Sequence, residues 1–380
     1  MRIVFTSDFV DLENIGGAGR VLWELAGGLL RRGHRLTFVV GGPEARSGNV
    51  DHPAGRIRWI SFPYPREGRR GPRFVFDVRR RVRAAYRLAG PADVVVHNQP
   101  LTADALSASC TPSVYLFHSP WPAEFVAERF GDDQLPQRMS RGWITHLQTS
   151  LRARVEGRAV RRARTVVTLS EHMRQRACSM YGVDPRRVLV CPGGVDLDRF
   201  SPKGEVERRS LRARRSVDAE TLVFACVRRL VPRTGVDLLV DALSMADTQL
   251  PPWRAWIAGR GPQESSLDAM IRGSSVGSRI ERLGYVSDSE LTDLYCAADA
   301  TLVPTRALEG FGLSTLESMA CGTPVIATPI GGSVELLEQC PMCRLAPTAT
   351  AEGLAAAMID WAGTIARSAG ARGTTRRFVE

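Results

Sequence analysis

Apolar and polar positions fall along this chain in short blocks of two kinds. Residues 2–6 are an apolar run. A polar, glycine-bearing stretch follows, then Val21, Leu22, Leu25, Leu29 and Leu30, whose three- and four-residue spacing places them on one helix face. Gly33 ends that helix, and a second apolar run at 36–40 predicts the next strand. Strand, glycine loop, helix and strand in this order make a βαβ unit, whose crossover sets the two strands parallel. Further runs at 93–97, 113–118 and 165–170 each end in polar side chains. In open α/β sheets ligands bind at those carboxyl ends, so the polar endings are candidate site positions.

The pattern breaks at Cys191-Pro192-Gly193-Gly194-Val195-Asp196 and stays turn-rich through Phe200-Ser201-Pro202-Lys203-Gly204. It then restarts, with strands expected at 221–227, 253–258, 280–283, 300–303 and 324–327 and helical stretches between them. A chain of 380 residues exceeds what one core usually organises. The expectation is an α/β fold of two Rossmann-like domains with parallel sheets facing across a cleft: 1–195, then 196–365, then a tail at 366–380.

Composition narrows the class. At 44% hydrophobic and 24% charged residues the chain is neither disordered nor a disulfide scaffold. No uncharged apolar stretch approaches the roughly 18 to 20 residues of a membrane-spanning helix. Asp8 and Glu13 interrupt the amino terminus before a signal-peptide core could form. The eight cysteines lack framework spacing, so free thiols and a cytoplasmic setting are expected. Cys340-Pro341-Met342-Cys343 has C-x-x-C spacing but no second pair or nearby histidine, and no metal site is expected from it.

The net charge of +11 implies acidic partners without naming them. Nearly all of it is arginine, Lys203 being the single lysine. Nine arginines (Arg66, Arg69, Arg70, Arg73, Arg79, Arg80, Arg81, Arg83 and Arg87) fall in one segment interleaved with Phe74, Val75, Phe76, Val78, Val82 and Tyr86. That segment reads either as a helix covering the first sheet with a solvated basic face or as peripheral contact with the inner face of an anionic membrane. No recognisable nucleic-acid motif accompanies the charge, so no nucleic acid is expected.

The run Glu309-Gly310-Phe311-Gly312-Leu313-Ser314-Thr315-Leu316-Glu317 reads as a glycine loop leading into a short helix, which Gly322 ends. Glycines ahead of a helix leave its first N–H groups uncrowded, and the helix dipole favours an anion there, so the run suits a diphosphate. Glu309 and Glu317 add carboxylates, good acceptors for sugar and ribose hydroxyls. This run, two glutamates separated by seven residues, resembles the signature of the retaining GT-B glycosyltransferases called group 1 or family 4.

The resemblance extends in order along most of the chain and implies roles. Glu309 would hold donor-sugar hydroxyls and Glu317 the ribose, while amides of Gly310, Phe311, Gly312, Leu313 and Ser314 receive phosphate. Gly16-Gly17-Ala18-Gly19 resembles the family's glycine loop, with Gly16 and Gly17 at the donor phosphate. His118, ahead of Ser119-Pro120-Trp121, resembles the active-site histidine near the anomeric carbon. Arg228-Arg229-Leu230-Val231-Pro232-Arg233-Thr234-Gly235 resembles the family's basic diphosphate loop, where Arg229 fits. Thr234 stands where a lysine is usual, and Arg233 is the neighbouring cation. Tyr285 and Val286 lie where the nucleobase usually packs. The catalytic set so implied is His118, Arg229 and Glu309.

The implied reaction moves a hexose-type sugar, with retention, from a nucleoside diphosphate donor (UDP or GDP) to a hydroxyl acceptor. It needs no cofactor beyond the donor and no metal. Lipid-linked envelope glycans, phosphoinositides and secondary metabolites such as aminocyclitol antibiotics are all open as acceptors. Two other readings stand beside it. A dinucleotide-dependent oxidoreductase would need a G-x-G-x-x-G after the first strand, which is missing. A binding protein that kept the fold and lost turnover is motivated by Thr234.

Overall fold

The computed structural model describes residues 1–10, 16–64, 74–109, 111–133, 142–364 and 370–380. The chain divides into two compact units, Met1–Pro122 with Pro136–Pro192, and Ala123–Leu135 with Gly193–Glu380.

Up to residue 192 the order is β1 (Arg2–Ser7), α1 (Gly17–Arg31), β2 (Arg35–Gly42), β3 (Arg46–His52), β4 (Gly55–Pro63), α2 (Phe74–Ala89), β5 (Val94–His97), α3 (Pro100–Leu106), β6 (Ser113–Phe117), α4 (Trp121–Phe130), α5 (Trp143–Arg162), β7 (Thr165–Thr168), α6 (Glu171–Tyr181) and β8 (Val188–Val190); all of these lie in the first unit except α4, whose residues 123–130 belong to the second. The strands form one sheet in the order β3-β4-β2-β1-β5-β6-β7-β8, parallel except for the β3–β4 hairpin. Alternation along β1 fills both faces: Ile3 and Phe5 join Leu22, Ala26 and Phe38 on the α1 side, while Val4 joins Val39, Val78, Val82 and Leu101 on the other. Covering both faces is what a parallel sheet requires, and it explains the near-continuous apolar runs.

In α2 it is Val78, Val82 and Ala85 that are buried. Three of its arginines make local ties. Arg79 reaches the buried Asp104 carboxylate through Nε at 2.6 Å, where Arg158 of α5 also binds at 2.9 Å; Arg81 and Arg83 donate to the carbonyls of Pro63 and Ala105. Arg80 and Arg87 are exposed, whereas Arg66, Arg69, Arg70 and Arg73 lie outside the described residues.

The second unit continues with α7 (Glu205–Ala213), β9 (Leu222–Val227), α8 (Val236–Ala246), β10 (Trp253–Ala258), α9 (Glu264–Gly273), β11 (Ile280–Gly284), α10 (Asp288–Ala297), β12 (Ala300–Val303), α11 (Leu313–Ala320), β13 (Val325–Ala327), α12 (Ser333–Leu337), β14 (Arg344–Leu345), α13 (Ala351–Thr364) and α14 (Ala371–Val379). Its sheet runs β11-β10-β9-β12-β13-β14, all parallel. Phe224 and Cys226 of β9 pack toward α8 and α13, while Val223 and Ala225 pack with Trp256 and Leu294 on the other side. The helix α14 packs on α11, and its Arg372 donates to the carbonyls of Cys296, Ala298 and Cys321.

Each sheet has one strand from which the chain builds in both directions: β1, between β2 and β5, and β9, between β10 and β12. The carboxyl ends beside such a strand are where an open α/β sheet leaves a crevice. Among the described residues no helix is long and apolar enough to cross a membrane, and Cys178, Cys191, Cys226, Cys296, Cys321, Cys340 and Cys343 are free thiols.

Candidate active site

In the first unit the carboxyl ends of β1, β5 and β6 carry a connected polar cluster. Thr6 Oγ1 lies 2.8 Å from His97 Nδ1. The Asn98 amide donates to Ser7 Oγ at 3.3 Å, so its Oδ1 faces His118 Nε2 at 2.7 Å and accepts from it. Burial pushes the pKa of His118 down to about 4, so its imidazole is neutral at pH 7. With the proton on Nε2, Nδ1 is left as an acceptor. Asp8 takes the N–H groups of Leu101 and Thr102 at 3.1 and 2.7 Å, an anion at the start of α3.

The turn after His118 is fixed from α5. The buried Glu156 carboxylate accepts from the Trp121 amide at 2.7 Å and from the hydroxyls of Tyr115 and Tyr181 at 3.0 and 2.5 Å. Gly16 caps α1 and Gly17 opens it, and among the described residues no atom lies within 4 Å of where a Cβ would stand at either. That leaves the amides of the first turn uncrowded.

In the second unit the site gathers at the ends of β9 and β12. Past β9 the backbone continues pairing with the end of β10 and the residues that follow it: the Arg228 amide donates to the carbonyl of Ala258, the last residue of β10, at 3.0 Å and that of Leu230 to Arg260 at 2.9 Å. Gly259 allows the approach, since at its φ of +132° a Cβ would stand 1.9 Å from the Arg228 carbonyl oxygen. So held, the Arg228 side chain is 9% exposed and pairs with Glu309 Oε2 at 2.6 Å. The same guanidinium donates to Thr305 Oγ1 at 2.9 Å and lies 3.5 Å from Ser314 Oγ. Burial opposes ionisation of both partners. The pairing outweighs it, holding the Arg228 pKa above its ordinary value and the Glu309 carboxyl below its own, with Arg233 contributing to the latter.

Glu309 is placed by its backbone. Leu308, just before it, adopts φ +61°, in the left-handed region that non-glycine residues rarely occupy. Arg233 Nη1 holds the Leu308 carbonyl at 3.1 Å, and the Gly332 amide holds that of Glu309 at 2.8 Å. Gly312, at φ +94°, turns the chain into α11, whose first turn carries Ser314. Phe311 is buried against Gly193, where a Cβ would come within 2.7 Å of the ring. Glu317, 6% exposed, accepts from the Tyr295 hydroxyl at 3.3 Å. Tyr285 is exposed, while Val286 packs partly buried beside Trp256 and Leu294.

Arg228, Arg233, Glu309 and Ser314 therefore converge. Arg229 takes another direction: its side chain is 60% exposed and pairs with Glu128 at 2.8 Å. Thr234 is buried, its hydroxyl shared between the carbonyls of Arg229 and Val231. Arg228 and Thr305 were not among the candidates read from sequence. The available signal was their position, Arg228 directly after β9 and Thr305 two residues after β12.

Two parallel-sheet α/β units of this kind define the GT-B architecture, and solved structures agree. HepE from Anabaena, crystallised with UDP-glucose, superposes with a TM-score of 0.71 at 22% identity, covering 100% of this chain and 96% of that one. WaaG, a glycosyltransferase involved in lipopolysaccharide biosynthesis, gives 0.76 at 19%, covering 99% and 95%. The pattern of the family described as Glycosyl transferases group 1 matches residues 207–362, and that of Glycosyltransferase Family 4 matches 15–199. The chain belongs to the group 1, or family 4, glycosyltransferases. Curated relatives include a D-inositol 3-phosphate glycosyltransferase of Mycobacterium sp. (strain KMS), 33% identical over 57% of this chain, and one of Geodermatophilus obscurus, 35% identical over 44%. These matches span 47% and 38% of the relatives' own length, under half in each case.

Proposed function

We propose that this protein transfers a hexose-type sugar, with retention and without a metal ion, from a UDP or GDP donor to a hydroxyl acceptor. The observation that carries the reading is the convergence of the Arg228–Glu309 pair, Ser314 and the start of α11 beside the β9 and β12 carboxyl ends. A buried guanidinium at a helix start suits a diphosphate, and a neighbouring carboxylate suits sugar hydroxyls. Family membership supports the same chemistry, and the HepE complex makes UDP-glucose the first donor to try. Relatives named for D-inositol 3-phosphate make a phosphorylated cyclitol the first acceptor.

In the proposed step the bond between the anomeric carbon and the β-phosphate oxygen breaks, and its electron pair stays on that oxygen. The acceptor oxygen bonds to the anomeric carbon from the face the phosphate leaves, and the acceptor's proton passes to the departing phosphate. The products are a glycoside and a nucleoside diphosphate. Preorganised donors at the leaving group supply most of the stabilisation in such a step. On this reading Glu309 and Glu317 hold hydroxyls of the donor, and His118, neutral at pH 7, offers a polar contact rather than a charge. NMR of the product formed from UDP-glucose and inositol phosphate, with and without EDTA, tests the proposal. Retained α configuration in both conditions is expected; a β linkage, or loss of turnover in EDTA, would contradict retention or metal independence respectively.

A further inference from the structure

Two guanidinium side chains, of the buried Arg228 and the half-buried Arg233, stand beside the single carboxylate of Glu309. Arg228 pairs with it, and Arg233, bonded to the neighbouring Leu308 carbonyl, is close enough to lower its pKa. Among the described residues the Nε atoms of both arginines are buried without a hydrogen-bond partner, and so is Thr315 Oγ1 in the first turn of α11. Unmatched guanidinium donors in a protected site are costly unless a ligand completes them, and a group with several anionic oxygens does so best. The start of α11 favours the same charge.

Resting on the function proposed above, we infer that Arg228 and Arg233 are the guanidinium pair that receives the donor diphosphate, each standing one residue ahead of the family-expected positions 229 and 234. Thr234 is turned into the turn it caps, and Arg229 is engaged by Glu128. Arg228 spans from Glu309 toward Ser314, so one guanidinium meets both the sugar-side carboxylate and the phosphate end of the site. When the anomeric carbon–oxygen bond breaks, the electron pair left on the β-phosphate then lies against two fixed positive charges.

Calorimetric titration of UDP and GDP against uridine and guanosine tests this on wild type and on Arg228→Gln, Arg228→Lys, Arg233→Gln and Arg229→Gln. The readout is the ratio of diphosphate to nucleoside affinity. That ratio is expected to fall about tenfold or more in Arg228→Gln and Arg233→Gln, to recover partly in Arg228→Lys, and to stay within about twofold in Arg229→Gln; tenfold corresponds to about 1.4 kcal/mol. Unchanged nucleoside affinity confirms that the base site is intact. Since Arg228→Gln strands a buried carboxylate, the double variant Arg228→Gln, Glu309→Gln is measured beside it and is expected to show the same loss. A ratio lost in Arg229→Gln and kept in the Arg228 variants would overturn the inference and leave the transferase reading standing. A wild type that binds diphosphate no better than nucleoside would overturn both.

Discussion

His97 shows how a buried imidazole ties stability to pH. It is 4% exposed, and burial pushes its pKa down to about 4. In the unfolded chain an imidazole titrates near 6.5. Between those values the unfolded chain binds a proton that the folded one does not, so stability is full above about 6.5 and falls as pH drops, by about 1.4 kcal/mol per pH unit at most. Replacing His97 with glutamine should therefore shrink the stability difference between pH 7 and pH 5, read from urea unfolding, by about 2 kcal/mol; an unaltered difference would contradict this. Glu309 follows a carboxylate's sign: its contribution is present above the ordinary glutamate range and lost as pH falls through its lowered value. The same scale sets the limit of what the sequence reveals. Glu309 and Glu317 stand out within one continuous run. The inward-facing arginine does not, because neighbouring residues at a strand end point to opposite sides and both positions here are arginine.

At the scale of elements, strands buried on both faces announce themselves as apolar runs: 253–258 and 300–303 coincide with β10 and β12. Strands without that burial leave no such mark. All seven residues of β3 are polar or partly to fully exposed, and it is held by backbone pairing with β4; β14 is two residues long. The helix α14 is another such case, with few apolar residues and two arginines that do the anchoring. Arg376 donates to the carbonyls of Phe200 and Ala320 at 2.7 Å and of Leu197 at 3.3 Å. Arg376→Ala removes these donors and should lower unfolding stability by about 1–3 kcal/mol, with Arg376→Lys between the two. A melting curve unchanged by Arg376→Ala would show that apolar contacts of Phe378 and Val379 hold the helix instead.

For the whole molecule, two runs of strand and helix separated by a turn-rich stretch were enough to indicate two parallel-sheet α/β units, and family and structure comparisons agree on that fold. The proposed chemistry draws on far fewer residues than the fold, clustered where the chain leaves β9 and β12, and this is why a short run around Glu309 carries so much of the functional reading. The most direct measurement is a calorimetric or thermal-shift screen of the full chain against UDP, GDP, ADP, dTDP and NAD, each with and without EDTA, repeated on Glu317→Gln. The account predicts a metal-independent response to one nucleoside diphosphate, weakened in the variant. Binding of NAD alone, or of no nucleotide, would contradict it.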